Sequence, residues 1–209
     1  MSRTLSVRNR QRVRRVNTPL LRRITLHVLE EQLRVSDFEL AIHLVAAPEM
    51  ARVNKAFLQH EGSTDVITFD HCDLGVRPSP GAAISALSLL ENSSKPVETL
   101  TLQRPGRPHS VGSHVCLHGE IFICLDDAVK QARAFRTTWQ SELERYVIHG
   151  LLHLCGHDDL KPTARRNMKR EENRLLRAIT KRFVLSELEI RSPNRRARQS
   201  AIGNPKSAI

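Results

Sequence analysis

The sequence predicts an α+β fold, a single domain in which several helices pack on one small mixed β-sheet. Three observations lead to this prediction. Segments that alternate hydrophobic and polar residues are interspersed with segments of helical periodicity. A length of 209 residues suits one domain with extra segments, and 40% hydrophobic residues are enough for one core. We assign the domain to residues 1–190, and we predict a loop insertion at 71–118 and a basic, disordered tail at 191–209.

The first half of the chain predicts a strand, a helix, a strand, a helix and a strand, in that order. In the first helix Thr18 is the expected N-cap, and Pro19 suits the first turn because no backbone N–H donor is needed there. The second strand alternates, with Phe38 and Leu40 on one face and His43 on the other. The five segments are residues 3–11, 17–34, 37–46, 47–59 and 64–70.

The second half of the chain predicts one strand followed by three helices. Asp126 or Asp127 is the expected N-cap of the first helix. Ser141 and Glu144 have the spacing of a capping box, which predicts that the second helix begins there. Pro162 lies near the start of the third. The segments are residues 119–127, 127–135, 141–156 and 162–183.

Residues 71–118 differ in character, because half of the ten prolines of the chain fall in this segment. A long stretch of this kind is typical of a projecting or disordered loop. A second metal site is conceivable here, but the spacing of the candidate ligands matches no known pattern, and we interpret them as scattered loop residues. These are His71, Cys72, His109, His114, Cys116 and His118.

The positive charge is concentrated at the two ends of the chain. Residues 1–23 contain eight Arg, and residues 191–209 contain four Arg and one Lys, with no acidic residue in either segment. These are 13 of 33 basic residues, so the middle, with 20 basic and 22 acidic residues, is close to neutral. Such ends favour a polyanionic partner, RNA above all, although solvated termini have the same composition.

The sequence has no signal-peptide pattern and no long apolar run, and its four cysteines form no CxxC pair. These features predict a soluble protein of a reducing compartment, the cytoplasm, with no membrane association.

The stretch HGLLHLCGHDD at residues 149–159 contains the candidate metal ligands. His149 and His153 are four apart, so both project from one face of a helix, about 6 Å apart along its axis. If the helix continued, His157 would lie about 12 Å from His149, too far to share an ion. Gly156 can end the helix, so that Asp158 or Asp159 approaches as a third ligand. The alternative is a pair of ordinary polar residues near a helix end.

The histidine pair also resembles the H-E-x-x-H helix of zinc peptidases, a zincin-like metal helix in which Glu is the general base. Here Gly150 occupies the position of that Glu. Peptide hydrolysis by this route is therefore disfavoured, although a zinc metallopeptidase remains an alternative function.

The stretch closely resembles the motif of the YbeY endoribonuclease family, metal-dependent rRNA maturation factors, at His149, Gly150, Leu152, His153, Leu154, Gly156 and Asp158. Residues 53–70 resemble the family's Asn…Thr-Asp-Val block, and residues 119–128 resemble its Gly-Asp-Ile block. Two departures stand out. Asp159 takes the place of the family's third histidine ligand, and Leu58 stands where many members have an Arg. The lost Arg could be replaced by His60 or by an Arg of the N-terminal segment.

The resemblance implies an endoribonuclease that cleaves single-stranded RNA, in 3′-end maturation of small-subunit rRNA and in ribosome quality control, with rRNA and ribosomal particles as partners. It implies that His149, His153 and Asp159 bind one zinc or another divalent transition metal. His149 and His153 would act catalytically through water bound to that metal, with the general base unassigned. His60 and His157 are candidates for substrate binding. A non-catalytic ribosome assembly factor with a structural metal is a further alternative.

Overall fold

A four-stranded mixed β-sheet lies at the centre of the protein, which a computed structural model describes over residues 2–72 and 116–190. The strand order is β1-β2-β4-β3. β1, β2 and β4 are parallel to one another, and β3 pairs antiparallel with β4. The strands are β1 (Arg3–Asn9), β2 (Asp37–Val45), β3 (Val66–Asp70) and β4 (Cys116–Cys124). The predicted α+β class with a small mixed sheet is confirmed.

Within the described residues, five helices pack around this sheet. α1 and α2 each continue into a π-helical turn, at Val28–Gln32 and Asn54–Leu58 respectively, and a 3₁₀ turn at Leu185–Leu188 follows α5. The helices are α1 (Thr18–His27), α2 (Ala47–Val53), α3 (Leu125–Phe135), α4 (Trp139–Leu154) and α5 (Pro162–Arg182). Each of them overlaps a segment predicted to be a helix, although α3 and α4 begin two residues before their predicted starts.

The sheet separates two hydrophobic cores. On β4 the side chains alternate, so that Ile121 and Ile123 join the larger core and Phe122 and Cys124 join the smaller one. The larger core contains the buried residues of α1, α4 and α5, whereas the smaller contains Met50 and Val53 of α2. The helices of the larger core include α4, which contains the histidine pair.

The predicted N-caps of α1 and α3 were wrong. Asn17, not Thr18, caps α1, because its Oδ1 accepts a hydrogen bond from the Leu20 N–H at 3.1 Å. Neither predicted aspartate caps α3, which begins directly after β4 at Leu125 with no side-chain cap. Asp126 instead accepts a hydrogen bond from the Ala47 N–H at 2.7 Å, and this bond ties α3 to the start of α2.

The capping box predicted at Ser141 and Glu144 was also wrong. α4 begins two residues earlier, and its N-cap is Thr138, whose Oγ1 accepts from the Ser141 N–H at 3.2 Å. Glu144 is completely buried in the helix interior. The periodic pattern located the helix correctly, while the cap depended on Thr138, which lies outside the capping-box pattern.

The predicted loop insertion falls between two adjacent strands. β3 and β4 pair up to Asp70 and Gly119, and the His71 N–H then donates to the His118 carbonyl oxygen at 2.7 Å. β4 begins at Cys116, three residues before the predicted strand. The rest of the predicted insertion, residues 73–115, and the predicted tail at 191–209 lie outside the described residues.

Candidate metal centre

α4 ends at the predicted glycine. Gly156 adopts a positive φ of 85°, and its N–H donates to the His153 carbonyl at 2.8 Å. The His157 N–H donates to the Leu152 carbonyl at 2.9 Å. Together these bonds form a Schellman motif, which stops the helix and reverses the chain. The residues that follow therefore return toward the histidine pair.

The two histidines of α4 converge on one point. Nε2 of His149 lies 3.0 Å from Nε2 of His153, with the two rings perpendicular at 89°. The opposite ring nitrogens are engaged, His149 Nδ1 with Glu172 Oε1 at 2.7 Å and His153 Nδ1 with the His157 carbonyl oxygen at 3.1 Å. Both acceptors favour a proton on Nδ1, and when the rings are neutral both Nε2 atoms then carry lone pairs. Two such lone pairs repel at this distance unless a proton or a metal ion lies between them.

The carboxylate of Asp159 lies close to the two histidines and forms a group of three candidate ligands with them. His149, His153 and Asp159 each offer one ligand atom, and these atoms all lie within 4.8 Å of one another. Asp158, the other acid considered, is not part of this converging group, and its Oδ1 accepts from the Leu160 N–H at 2.9 Å. Arg165 Nε donates to the Asp159 carbonyl oxygen at 3.1 Å and so fixes the backbone of that residue.

The donor set fits a divalent transition metal. Two imidazoles and one carboxylate are ligands that zinc takes in hydrolytic sites, which keep a further position open. Hydrogen bonds from the non-ligating Nδ1 atoms to a carboxylate and a backbone carbonyl are the usual outer partners of metal-binding histidines. Cys155, next to the group, is not one of its converging ligands, and burial and the charge of Asp70 raise the pKa of its thiol to about 12.

The pKa values of the two histidines move in opposite directions. Burial lowers the pKa of His149, but the hydrogen bond and charge of Glu172, with the charges of Asp65 and Asp159, outweigh it and raise the value. Burial and the neighbouring His149 lower the pKa of His153. The pair therefore accommodates one positive charge between its rings and disfavours two.

Two residues of this region were missed by the sequence analysis. Glu172, on α5, orients His149, and its Oε2 lies 3.6 Å from Nη1 of Arg145. Arg145 lies one helical turn before His149 on α4, a spacing that could have pointed to it. The role of Glu172 could not be predicted from local sequence spacing, because Glu172 and His149 are 23 residues apart.

His60 and His157 were predicted to bind substrate, and Leu58 to replace an Arg of the family pattern. The His157 imidazole is exposed, and its backbone carbonyl is what holds His153. His60 is exposed after α2, and in the described part of the chain no hydrogen bond or ion pair joins it to the three candidate ligands. Leu58, the second departure from the family pattern expected from the sequence, packs against the smaller core.

Residues 53–70, the block that resembles the family's Asn…Thr-Asp-Val pattern, include the loop before β3. Asn54 is buried, and its Nδ2 donates to the Gly62 carbonyl at 2.9 Å, which anchors the loop to the π-helical turn. Asp65, at the end of this loop, accepts from the Val66 N–H at 3.0 Å, and its charge reaches His149. The block therefore contributes negative charge near the candidate metal centre.

A second histidine cluster lies on the smaller-core side of the sheet. His43 is completely buried, with its Nε2 3.3 Å from Glu120 Oε2, and His71 Nε2 lies 3.9 Å from the other oxygen of Glu120. The His118 ring centroid is 5.3 Å from that of His71. Among the described residues, the ligand atoms of this cluster do not converge as those of the α4 group do.

Gly150 packs closely against β4. A Cβ added at Gly150 would lie 2.7 Å from Ile121 Cγ2, closer than real side chains approach. The position that holds Glu in zinc peptidases therefore faces the core, and a Glu here would point into Ile121 and away from the candidate ligands. The fold itself excludes the peptidase base at this position.

A mixed sheet that carries a helix with two converging histidines and a nearby carboxylate defines an α+β protein with a candidate metal-binding helix. The sequence model of the family described as "Endoribonuclease YbeY" matches residues 6–180, so the chain belongs to the YbeY endoribonuclease family. "Endoribonuclease YbeY" of Salinibacter ruber is 29% identical over 175 residues, which cover 84% of this chain and 91% of that protein. "Endoribonuclease YbeY" of Phocaeicola vulgatus is 30% identical over 142 residues, covering 68% and 74% respectively.

The fold is also similar to that of a solved structure. The solution structure of TM1509 from Thermotoga maritima superposes with a TM-score of 0.51 at 19% identity, covering 98% of this chain and 100% of that one. Within the described ranges, no helix combines the length and the hydrophobicity that crossing a bilayer requires.

Proposed function

We propose that the protein is a single-strand-specific, metal-dependent endoribonuclease that acts in 3′-end maturation of small-subunit rRNA and in ribosome quality control, in the cytoplasm and on ribosomal particles. Family membership supports the endoribonuclease activity. The observation that carries the metal dependence is the convergence of His149, His153 and Asp159, whose ligand atoms lie within 4.8 Å of one another. Zinc is the proposed ion.

The side chains have separate tasks in this proposal. His149, His153 and Asp159 hold the ion, which when bound supplies Lewis-acid polarisation of water and of the scissile phosphodiester. Glu172 keeps the proton of His149 on Nδ1, so that Nε2 is free to bind. The His157 carbonyl does the same for His153. The exposed imidazoles of His60 and His157 remain our candidates for contacts to the RNA strand.

The decisive experiment compares substrates and metal states. Purified protein is incubated with unstructured RNA and with casein, each with and without a chelator. We expect cleavage of the RNA that the chelator abolishes and added zinc restores. Cleavage of casein would instead support a metallopeptidase.

Substitutions test the ligand set. Asp159→Ala is expected to lose bound metal and RNA cleavage, while Asp158→Asn, its neighbour with a role in the turn, keeps both. Full metal retention by Asp159→Ala would overturn the proposed ligand set. A folded His153→Ala variant that binds RNA and leaves rRNA processing intact would favour a non-catalytic assembly factor with a structural metal.

A further inference from the structure

The outward face of α5 presents a row of exposed cations, which we call the α5 basic face. It consists of Arg166, Lys169, Arg170, Arg174, Arg177 and Lys181, which with Glu171, Asn173 and Ala178 line an open groove of about 870 Å³. The opposite face of the helix contributes its buried residues Met168, Leu175 and Ile179 to the larger core. The cations therefore lie on the solvent-exposed side of α5, where Arg174 also reaches Gln32, with its Nη1 3.5 Å from Gln32 Oε1.

Little of this positive charge is neutralised within the protein. Arg174 pairs with Glu171 at 2.6 Å, and no other ion pair of the α5 basic face occurs in the described part of the chain. α5 as a whole has eight Lys or Arg and two Glu. Of these two, Glu172 faces His149 on another side of the helix.

This arrangement costs helix stability. Arg166 and Arg170, Arg170 and Arg174, and Arg177 and Lys181 are like-charged pairs at four-residue spacing. Each such pair slightly destabilises the helix. A polyanion bound along the row would remove this repulsion, since the cations recur about once per helical turn over roughly 22 Å.

The candidate metal centre is unsuited to attracting RNA by itself. Asp65, Asp159 and Glu172 all act electrostatically on His149. N-terminal arginines, which the sequence analysis favoured for RNA binding, are partly engaged inside the protein. Arg3 pairs with Glu30 at 3.9 Å and Arg10 pairs with Glu49 at 3.0 Å.

We propose that the α5 basic face is a docking surface for the phosphodiester backbone of RNA outside the segment that is cut. This inference rests on the proposed function. Since the row points away from the core and Glu172 faces His149 from a different side of α5, the RNA held on the row is not the segment at the metal centre. Phosphate contacts of this kind position RNA without reading its sequence.

The test uses the full chain with Arg170→Glu and Arg177→Glu combined. These changes turn like-charged pairs with Arg166, Arg174 and Lys181 into opposite-charged pairs, so the helix is expected to remain stable. The matched control is Lys130→Glu with Arg133→Glu, the same change of charge on exposed residues of α3. Melting temperature and metal content confirm that both variants are intact.

Binding is measured in chelator, so that cleavage plays no part, with a long rRNA fragment at several salt concentrations. We expect the α5 variant to bind at least tenfold more weakly at low salt, with the slope of log affinity against log salt reduced by about 1 per lost contact. Cleavage of a short single-stranded oligonucleotide in zinc is expected to be unchanged. The control variant should match the wild type in both assays.

Three results would overturn the proposal. The first is wild-type affinity of the α5 variant for the long RNA. The second is an equal loss of cleavage on short and long RNA, which would make the row part of the catalytic path. The third is loss of binding to anionic phospholipid vesicles with RNA affinity intact. Wild-type protein that binds RNA but cleaves none would instead refute the proposed function.

Discussion

Glu172 shows how much of the candidate metal centre depends on one residue distant in sequence. Its Oε1 accepts a hydrogen bond from His149 Nδ1 at 2.7 Å, and its Oε2 lies 3.6 Å from Arg145 Nη1. The carboxylate thereby selects the tautomer of His149 that leaves Nε2 directed at His153. The residue belongs to the site as much as the ligands do, although it binds no metal itself.

Glu172→Gln is therefore expected to weaken zinc binding by about 10- to 100-fold, because the amide lacks the charge that holds the proton on Nδ1. Competition with a chromophoric chelator gives the affinity. Glu171→Gln, a change on the adjacent residue that faces Arg174, is the matched control and should leave affinity unchanged. Equal affinities of the two variants would contradict the positioning role of Glu172.

At this scale the sequence predicted what local spacing determines. His149 and His153 could be identified because four-residue spacing places side chains on one helix face. Gly156 could be identified because a helix end with positive φ favours glycine. Glu172 and Arg145 could not, since their contacts depend on how α4 and α5 pack together.

α4 is the element that brings the site and the core together. Its fixed position on the sheet depends on Gly150, where a Cβ would meet Ile121 Cγ2 at 2.7 Å. Its interior also includes Glu144, which is completely buried, with neither carboxylate oxygen in a hydrogen bond. Both features lead to predictions for the helix as a whole.

Gly150→Glu recreates the H-E-x-x-H pattern, yet it should give no peptidase activity. The new side chain would collide with Ile121 and bury a charge, which we expect to lower the free energy of unfolding by about 3 kcal/mol or more. Chemical denaturation and a casein assay measure the two effects. A stable variant that hydrolyses casein would show that this position can face the metal centre.

Glu144 should make stability depend on pH. Burial raises the pKa of Glu144 from 4.5 to about 8. Between these values the folded protein binds more protons than the unfolded chain, so the free energy of unfolding falls as pH rises and levels off above the folded pKa. In Glu144→Gln this component is absent, and the variant should gain stability relative to the wild type across that window.

Urea denaturation at pH 4.5 and pH 8 measures this difference. Glu31→Gln, a change at an exposed carboxylate, serves as the control and should keep the wild-type pH dependence. The same pH dependence in Glu144→Gln as in the wild type would assign the effect to other groups.

Element positions were predicted better than element ends. Hydrophobic patterning, together with β-branched residues in β3, located the five helices and four strands of the described residues, because burial of one face stabilises such elements. The caps were harder. Thr18, Asp126 and the Ser141–Glu144 pair all have cap-forming chemistry, yet Asn17 and Thr138 supply the bonds, since the actual cap depends on where the chain turns.

For the whole molecule, the candidate metal centre links segments that lie apart in the chain. The candidate ligands come from α4 and the loop after it, and Glu172 ties them to α5. An ion that binds the folded protein and not the unfolded chain stabilises it by about 4 kcal/mol at a thousandfold excess over the dissociation constant. We therefore expect zinc to raise the melting temperature and a chelator to reverse the rise.

Asp159→Ala should lose most of this shift, while Asp158→Asn should retain it. Scanning calorimetry at a series of zinc concentrations makes the comparison. A shift of equal size in both variants would mean that zinc stabilises the protein from another site.

The distribution of charge on the folded molecule was predicted poorly from counts of basic and acidic residues. The middle of the sequence is nearly neutral in sum, with 20 basic and 22 acidic residues, and this average concealed the α5 basic face. In the folded protein the cations of α5 lie together on one helix face. A segment whose net charge is close to zero therefore has a strongly positive patch on its surface. The family resemblance, in contrast, was predicted correctly, because its motifs are short and continuous in sequence.

The antiparallel pairing of β3 with β4 has a consequence for how this protein can vary. The chain leaves the sheet beside the point where it returns, with His71 bonded to His118 across the gap. The entropic cost of closing a loop between such neighbouring strand ends grows slowly, by about 0.6 kcal/mol for each doubling of the loop length. Homologues can therefore gain or lose many residues here while strand register, and with it the geometry of catalysis, stays the same.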